Sequence, residues 1–443
     1  MRIKTLALAS AWALASLPTL AQEALPVAGP AITPQASQTP QSLQALSLAE
    51  VWRLAEEANP TLRIKRAEIT AAEGARTDAR ALLYNNPVLD LGATRRQVPQ
   101  DGLPSARTRE WAAGVQQTLE IAGQRGHRRD AAEAALRALQ EEITDVRTQV
   151  RVDVSQFYFR VLALQQRIEL EQEALGLFER TAAAIQKRRT AGEDTKLDAN
   201  VAAVEAERAR NQLALARENL LDARAELAAR LQLPPERLPQ ASGDLGVATT
   251  PAPYSLADLL SQAETQPRLR ALGAREASAR SRLKLENARR YPDLTVGIST
   301  GREGMTAARE RLSTVTLTVP LPLFNRNATG IGQASTQLTQ AEISRIAAVR
   351  DVQAQVQALW TKLESLRTRV SRLQDVVLPA LLDNQQLSLK SRQAGQIGLL
   401  ELIVVNRQAL DARRDLNDAL IDYQITRLAL ELAAGWSPEG VTP

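Results

Sequence analysis

The chain is written twice, and whatever one half folds into, the other must fold into as well. "NPTLRIKRAEI" at Asn59 resembles "QPRLRALGARE" at Gln266, and "YNNPVLDLGA" at Tyr84 resembles "RYPDLTVGIS" at Arg290. "TAGEDTKLDANVAAVEAERA" at Thr190 resembles "QAGQIGLLELIVVNRQALDA" at Gln393. Pro60 with Pro267, Pro87 with Pro292 and Gly192 with Gly395 stand 203 to 207 positions apart. One register across three landmarks marks an internal duplication. The Pro-rich stretch 233–255 then separates a first repeat, 43–232, from a second, 256–436.

Each half predicts the same order of elements. An Ala-rich, charged helix (48–83; 256–289) leads to a strand opened by Pro (88–95; 294–300). A loop near Gly102 or Gly304 follows, then a second strand (111–121; 313–324). A very long helix runs to an "AG" turn, and another returns. All four strands alternate. Leu89, Leu91, Val115, Leu294, Val296, Val315, Leu317 and Val319 fall on apolar faces, opposed by Asp90, Gly92, Gln116, Thr295, Thr314 and Thr316. The strands have about the 9–11 residues that a tilted membrane strand needs. Tyr84, Tyr291 and Trp111 flank them, where interfacial aromatics sit. Four strands are too few for a closed membrane barrel, which starts near 8, and an open edge is excluded from lipid. Strands that cross a membrane therefore require several copies of the chain.

The helices carry coiled-coil seams. Leu136, Leu139, Ile143, Val146 and Val150 step by three and four, and Phe157, Val161, Leu164 and Ile168 resume the pattern after Val154. Val352, Val356, Leu359, Leu363, Leu366, Val370, Leu373 and Val377 do the same in the other half. About 65 helical residues make a rod of roughly 100 Å, too long for a globule. Gly176 and Pro379 interrupt the rods at equivalent positions and are expected points of kinking or thinning.

Composition narrows the chemistry. The 443 residues contain no cysteine, one histidine and two methionines, so neither disulfides nor a soft-metal cluster can form within the chain. His127, in "GQRGHRRD", has no nucleophile motif near it and reads as a solvated residue at a helix start. The net charge of +5 comes from arginines interleaved with Glu and Asp, and aromatics make up only 3%. That is the pattern of solvated helix faces, not of a nucleic-acid surface. Arg2 and Lys4, an apolar run and small residues at Thr19 and Ala21 read as a signal peptide over 1–21. A flexible arm is expected over 22–42 and a tail over 437–443.

The duplication, "NNPVLDLG", "QTLEIAGQRG" and "VPLPLFNRNATGIGQA" resemble TolC-type outer-membrane factors, the exit ducts of Gram-negative tripartite efflux pumps. The last two resemble the heavy-metal (cobalt–zinc–cadmium) branch, with Gln124 standing where that branch has Lys. The resemblance implies a mainly α chain with a membrane β-barrel section. Three copies would form a 12-stranded barrel in the outer membrane and a helical tunnel in the periplasm. It also implies a periplasmic adaptor and an inner-membrane RND pump as partners, no cofactor, and no catalytic residues. The adaptor would meet the hairpin tips, Ala191, Gly192, Glu193 and Asp194 on one side and Ala394, Gly395, Gln396 and Ile397 on the other. Asp198 and Glu401, just past the tips, would ring the periplasmic aperture; Val404 holds a second family position that is often acidic. The other readings are a factor for drug or organic-compound efflux or for type I secretion, a secreted coiled-coil scaffold, and a periplasmic enzyme.

Overall fold

A computed structural model of the chain describes residues 45–246, 253–304 and 309–436. The expected signal peptide, arm and C-terminal tail, together with 247–252 of the linker, lie outside the described residues.

Each half begins with two helices where the sequence reading expected one. Helices α1 (Leu48–Ala58) and α2 (Pro60–Arg80) break at Asn59, and α5 (Leu256–Ala263) and α6 (Pro267–Ala288) break just before Pro267. A residue that precedes proline is pushed out of the helical region. Asn59 sits at φ −58°, ψ 122°, and Gln266 at φ −62°, ψ 153°. The Asn59 side chain then caps the new helix, accepting the Leu62 N–H at 3.2 Å.

Four strands form one antiparallel sheet in the order β1-β2-β3-β4. They are β1 (Val88–Gln100), β2 (Leu103–Leu119), β3 (Leu294–Glu303) and β4 (Glu310–Thr318). The first hairpin is longer than its alternation suggested. The last strand is shorter, because Pro320 and Pro322 cannot donate to a ladder. Val319 therefore lies one residue beyond β4; Ile121 lies two residues beyond β2.

Register decides which side chains share a face. Leu89 pairs with Val115, Val115 with Ile298, and Ile298 with Val315. One apolar row thus crosses all four strands. Val296 and Leu317 extend it in the next row, and Leu91 with Ala113 in the row on the other side. On the opposite face Asp90, Gly114, Ser299 and Thr314 align. The usual burial is inverted here: Leu91 is 74% and Val315 75% exposed, whereas Thr108 and Glu110 on the polar face are buried.

The helical part is two hairpins. Helix α3 (Gln124–Thr190) runs 67 residues, about 100 Å, and α4 (Lys196–Arg230) returns along it. In the second half α7 (Ala328–Arg372), a π-helical turn (Leu373–Val377) and α8 (Leu378–Gln393) run end to end, and α9 (Leu399–Ala433) returns. Gly176 does not interrupt α3, contrary to expectation. Glycine keeps its N–H, so the ladder survives at a cost of only about 1 kcal/mol. Pro379 has no N–H, and its rod does change form beside it: the Leu378 N–H reaches back five residues to the Leu373 carbonyl. The seam loses phase there, leaving Val376 and Val377 exposed.

Each half has its own core, where its short first helix packs on the middle of the outgoing rod and the end of the returning one. Val51 and Ala55 of α1 pack with Val154 and Val161 of α3 and Leu227 of α4. Leu259 and Ala263 of α5 pack with Val352 and Val356 of α7 and Leu430 of α9. Most seam positions read from the sequence are in these cores.

The inverted sheet generates a prediction. In a bilayer, Val315→Arg, midway between the Leu119–Leu294 row and the Trp111 row, should destabilise the assembled protein by about 2–4 kcal/mol. Leu317→Arg, nearer the end of the apolar band, should cost less, and Thr316→Arg, on the other face, far less than Val315→Arg. Denaturant titration in lipid vesicles measures all three, and equal losses from Val315→Arg and Thr316→Arg would contradict the assigned faces.

Candidate functional site

The sheet joins the rods through the very residues that carry the family-like motifs. Gln124, 2% exposed, accepts the Ala122 N–H at 2.6 Å through its side-chain oxygen. Its amide donates to the Tyr291 carbonyl at 3.3 Å and to Asp293 at 3.2 Å. One side chain thus ties the β2–α3 corner to the start of β3. Arg128 is buried, paired with Glu120 and stacked 4.1 Å from the Tyr84 ring. Asn327, at φ 56°, turns the chain into α7 and donates to the Glu286 carbonyl and carboxylate, both at 2.9 Å.

At the far end the two hairpin tips share one backbone solution. Gly192 (φ 82°) and Gly395 (φ 73°) take the left-handed position that closes a helix. The Glu193 N–H bonds the Arg188 carbonyl at 2.9 Å, and the Gln396 N–H bonds the Ser391 carbonyl at 2.8 Å. Ala191, Gly192, Glu193, Ala394, Gly395 and Gln396 are exposed, and Ile397 is half-buried. Asp194 behaves differently. Its carboxylate is 5% exposed, clamped by Arg188 at 2.9 Å and by Arg392 of the other hairpin at 2.7 Å. It fastens one tip to the other and presents no free charge to a partner.

Asp198 and Glu401 both cap the helices that follow the tips. Asp198 bonds the Thr195 hydroxyl at 2.6 Å and the Thr195 N–H at 3.1 Å. Glu401 accepts the Gly398 N–H at 2.9 Å. The Thr195 bonds hold the Asp198 carboxyl below its usual value of 3.8. Its contribution to stability is therefore complete above about pH 4 and is lost as pH falls through the lowered value.

Sequence reasoning missed the groups that lock the hairpins together. Glu205 of α4 receives Arg407 of α9 at 2.9 and 2.5 Å. Glu171 of α3, 1% exposed, receives Arg414 of α9 at 2.9 and 2.5 Å and Arg167 at 2.7 Å. With Asp194–Arg392 they form three ion pairs spaced along the rods. An apolar cluster of Ile185, Ala199, Ala202, Leu399 and Ile403 closes the tip end of the same seam. The partners stand 198 to 243 residues apart, and no local spacing could reveal them.

Among the described residues no group of three His, Cys, Asp or Glu could hold a metal ion, and no helix is long and apolar enough to cross a membrane. An inverted sheet on paired hairpins of this length is the architecture of outer-membrane channels. A structure of CusC superposes with a TM-score of 0.71 at 20% identity, covering 91% of this chain and 96% of that one. The outer membrane protein VceC of Vibrio cholerae gives 0.70 at 18%, covering 88% and 96%. Residues 51–231 and 259–436 match the Outer membrane efflux protein family, and the chain belongs to it. The cobalt-zinc-cadmium resistance protein CzcC of Cupriavidus metallidurans is 28% identical over 379 residues, 85% of each chain. The pyoverdine export outer membrane protein OpmQ of Pseudomonas putida is 25% identical over 342 residues, 72% of this chain and 69% of that one. The family is one of transport proteins, not enzymes.

The buried pairs should dominate hairpin stability. Glu171→Gln takes the buried carboxylate from Arg414 and Arg167, leaving Arg414 only its exposed partner Asp411, and should cost about 1.5–3 kcal/mol. Glu173→Gln, which removes a 70% exposed partner of Arg413, should cost under about 1 kcal/mol. Thermal unfolding of the two variants side by side checks the contrast.

Proposed function

We propose that the protein is the outer-membrane exit duct of a tripartite RND efflux system and that it exports heavy-metal cations. The observation that carries the duct reading is a sheet with its apolar face outward and unpaired edges on β1 and β4, set at one end of 100 Å hairpins. Edges cannot face lipid unpaired, so β4 of one copy pairs with β1 of the next. The strands alternate in direction, so that junction is antiparallel like the others. Three copies give 12 strands, and the hairpins of three copies enclose a tunnel. The two halves are copies of one ancestral unit, a reading supported by their matching element order and by the two separate family matches.

The similarity to a cobalt-zinc-cadmium resistance protein favours metal cations as cargo. The similarity to a pyoverdine export protein supports a second reading, in which the cargo is an organic compound. The tips, the exposed Ala191 to Glu193 and Ala394 to Gln396 with the half-buried Ile397, dock the periplasmic adaptor. Asp198 and Glu401 ring the aperture as charges while they cap their helices. Both roles use an ionised carboxylate, and the ring attracts cations.

Native mass spectrometry of detergent-extracted protein should give three chains; a monomer recovered without detergent would refute the barrel. Deleting the gene should lower tolerance of zinc, cobalt or cadmium. Lost tolerance of organic compounds alone would select the second reading. Asp198→Asn with Glu401→Gln keeps a cap acceptor and removes the charge. It should weaken cation preference in single-channel recordings, and unchanged selectivity would leave capping as the sole role.

A further inference from the structure

The end of the sheet farthest from the helices carries charge sorted by face. Trp111 pairs with Ala93 and Arg302, and Arg302 pairs with Arg311. One row farther out, Arg95 pairs with Arg109; beyond that, Gln97 pairs with Arg107. By register all five arginines lie on the face of Leu91, Val115 and Val315, the apolar face. Every one is exposed, and none has an ion-pair partner among the described residues. No acidic strand residue shares that face. Glu110, Glu303 and Glu310 are all on the other, where Arg96 pairs with Glu110 at 3.4 Å.

Two of these contacts oppose like charges directly, Arg95 with Arg109 and Arg302 with Arg311. Cross-strand partners stand about 5 Å apart, and like charges there are destabilising. Guanidinium groups tolerate such closeness when an anion sits between them, and their fork geometry suits phosphate oxygens. Height fixes which anion. From Leu119 and Leu294 to the Trp111 row is eight residues, roughly 27 Å of strand and about 20 Å along the membrane normal at a 40° tilt. The arginines therefore begin where the apolar band ends, level with an interfacial tryptophan.

We propose that this arginine belt binds the phosphate groups of lipid A, the diphosphorylated glycolipid of the outer leaflet. The inference rests on the barrel reading, which puts the helices in the periplasm and the far end of the sheet at the cell surface. Four guanidinium groups spread over two rows about 7 Å apart match a headgroup with two phosphates better than a single phosphodiester. The acyl chains lie against Leu91, Val115 and Val315 directly below.

The test uses the purified full chain in a neutral detergent, with bound lipid counted by native mass spectrometry. The probes are diphosphoryl lipid A, the same lipid stripped of both phosphates, phosphatidylglycerol, and inorganic phosphate as competitor. Diphosphoryl lipid A should be retained at least tenfold better than the stripped form and than phosphatidylglycerol, and millimolar phosphate should not displace it. Arg95→Gln/Arg109→Gln/Arg302→Gln/Arg311→Gln should lower retention at least tenfold, and Arg96→Gln should leave it unchanged. In detergent alone the fourfold variant should melt no lower than the parent, because opposed charges have been removed. Should it fail to assemble, the doubles Arg95→Gln/Arg109→Gln and Arg302→Gln/Arg311→Gln are read in the same way. Equal retention of stripped lipid or of phosphatidylglycerol, displacement by phosphate, or unchanged retention in the variants would overturn the assignment. The same spectra count the chains, so an assembled trimer that ignores lipid A refutes the belt alone, and a monomer refutes the barrel itself.

Discussion

Every part of this molecule answers to the unmet backbone groups along the outer edges of β1 and β4. In water such edges can be hydrated. Beside an outward apolar face they cannot, because the medium that suits Leu91 and Val315 offers no hydrogen bonds. In such a medium a sheet of this kind has two edges left to satisfy. Its four strands and their alternating directions fit the completion by identical neighbours proposed above. The rods are tied to that sheet, since Gln124 and Arg128 fix α3 beside the ends of β2 and β3, while Asn327 ties the start of α7 to α6.

The sequence revealed the period of each element well and its ends less well. Alternation located all four strands, and the register confirms that their apolar residues share one face. The extra length of β1 and β2 was hidden because "TRRQVPQ" and "LPSARTR" have no apolar alternation to read. The break at Asn59 is legible in "NP", because the residue before proline leaves the helical region, although the Ala-rich run around it reads as one helix. Gly176 and Pro379 looked equivalent in the repeat. They differ because only proline removes a donor from the ladder.

The tips and the aperture show where local reading stops. Glycine at the turn and an acidic residue at the third helical position are local signals, and both were found with their backbone roles intact. The fate of Asp194 depends on Arg392, far away in sequence, and so does the buried state of Glu171 depend on Arg414. Neighbouring carboxylates along one hairpin thus have opposite characters: Glu193 is offered to solvent, whereas Asp194 is consumed in holding the two hairpins together. Exposure, not composition, separates the surface that a partner can touch from the seam that it cannot.

The π-helical turn before Pro379 makes the two rods mechanically unequal. Helix α3 runs to its tip as one unbroken spring, whereas the second rod has a pivot with α8 as its lever arm. Sixteen residues beyond the pivot span about 24 Å, so a bend of about 10° would swing the Gly395 tip by roughly 4 Å. The α3 tip would hardly move. Compliance is thereby concentrated in one half of a molecule whose halves are otherwise alike. The Asp194–Arg392 pair bridges the tip of the unbroken rod to the tip beyond the pivot.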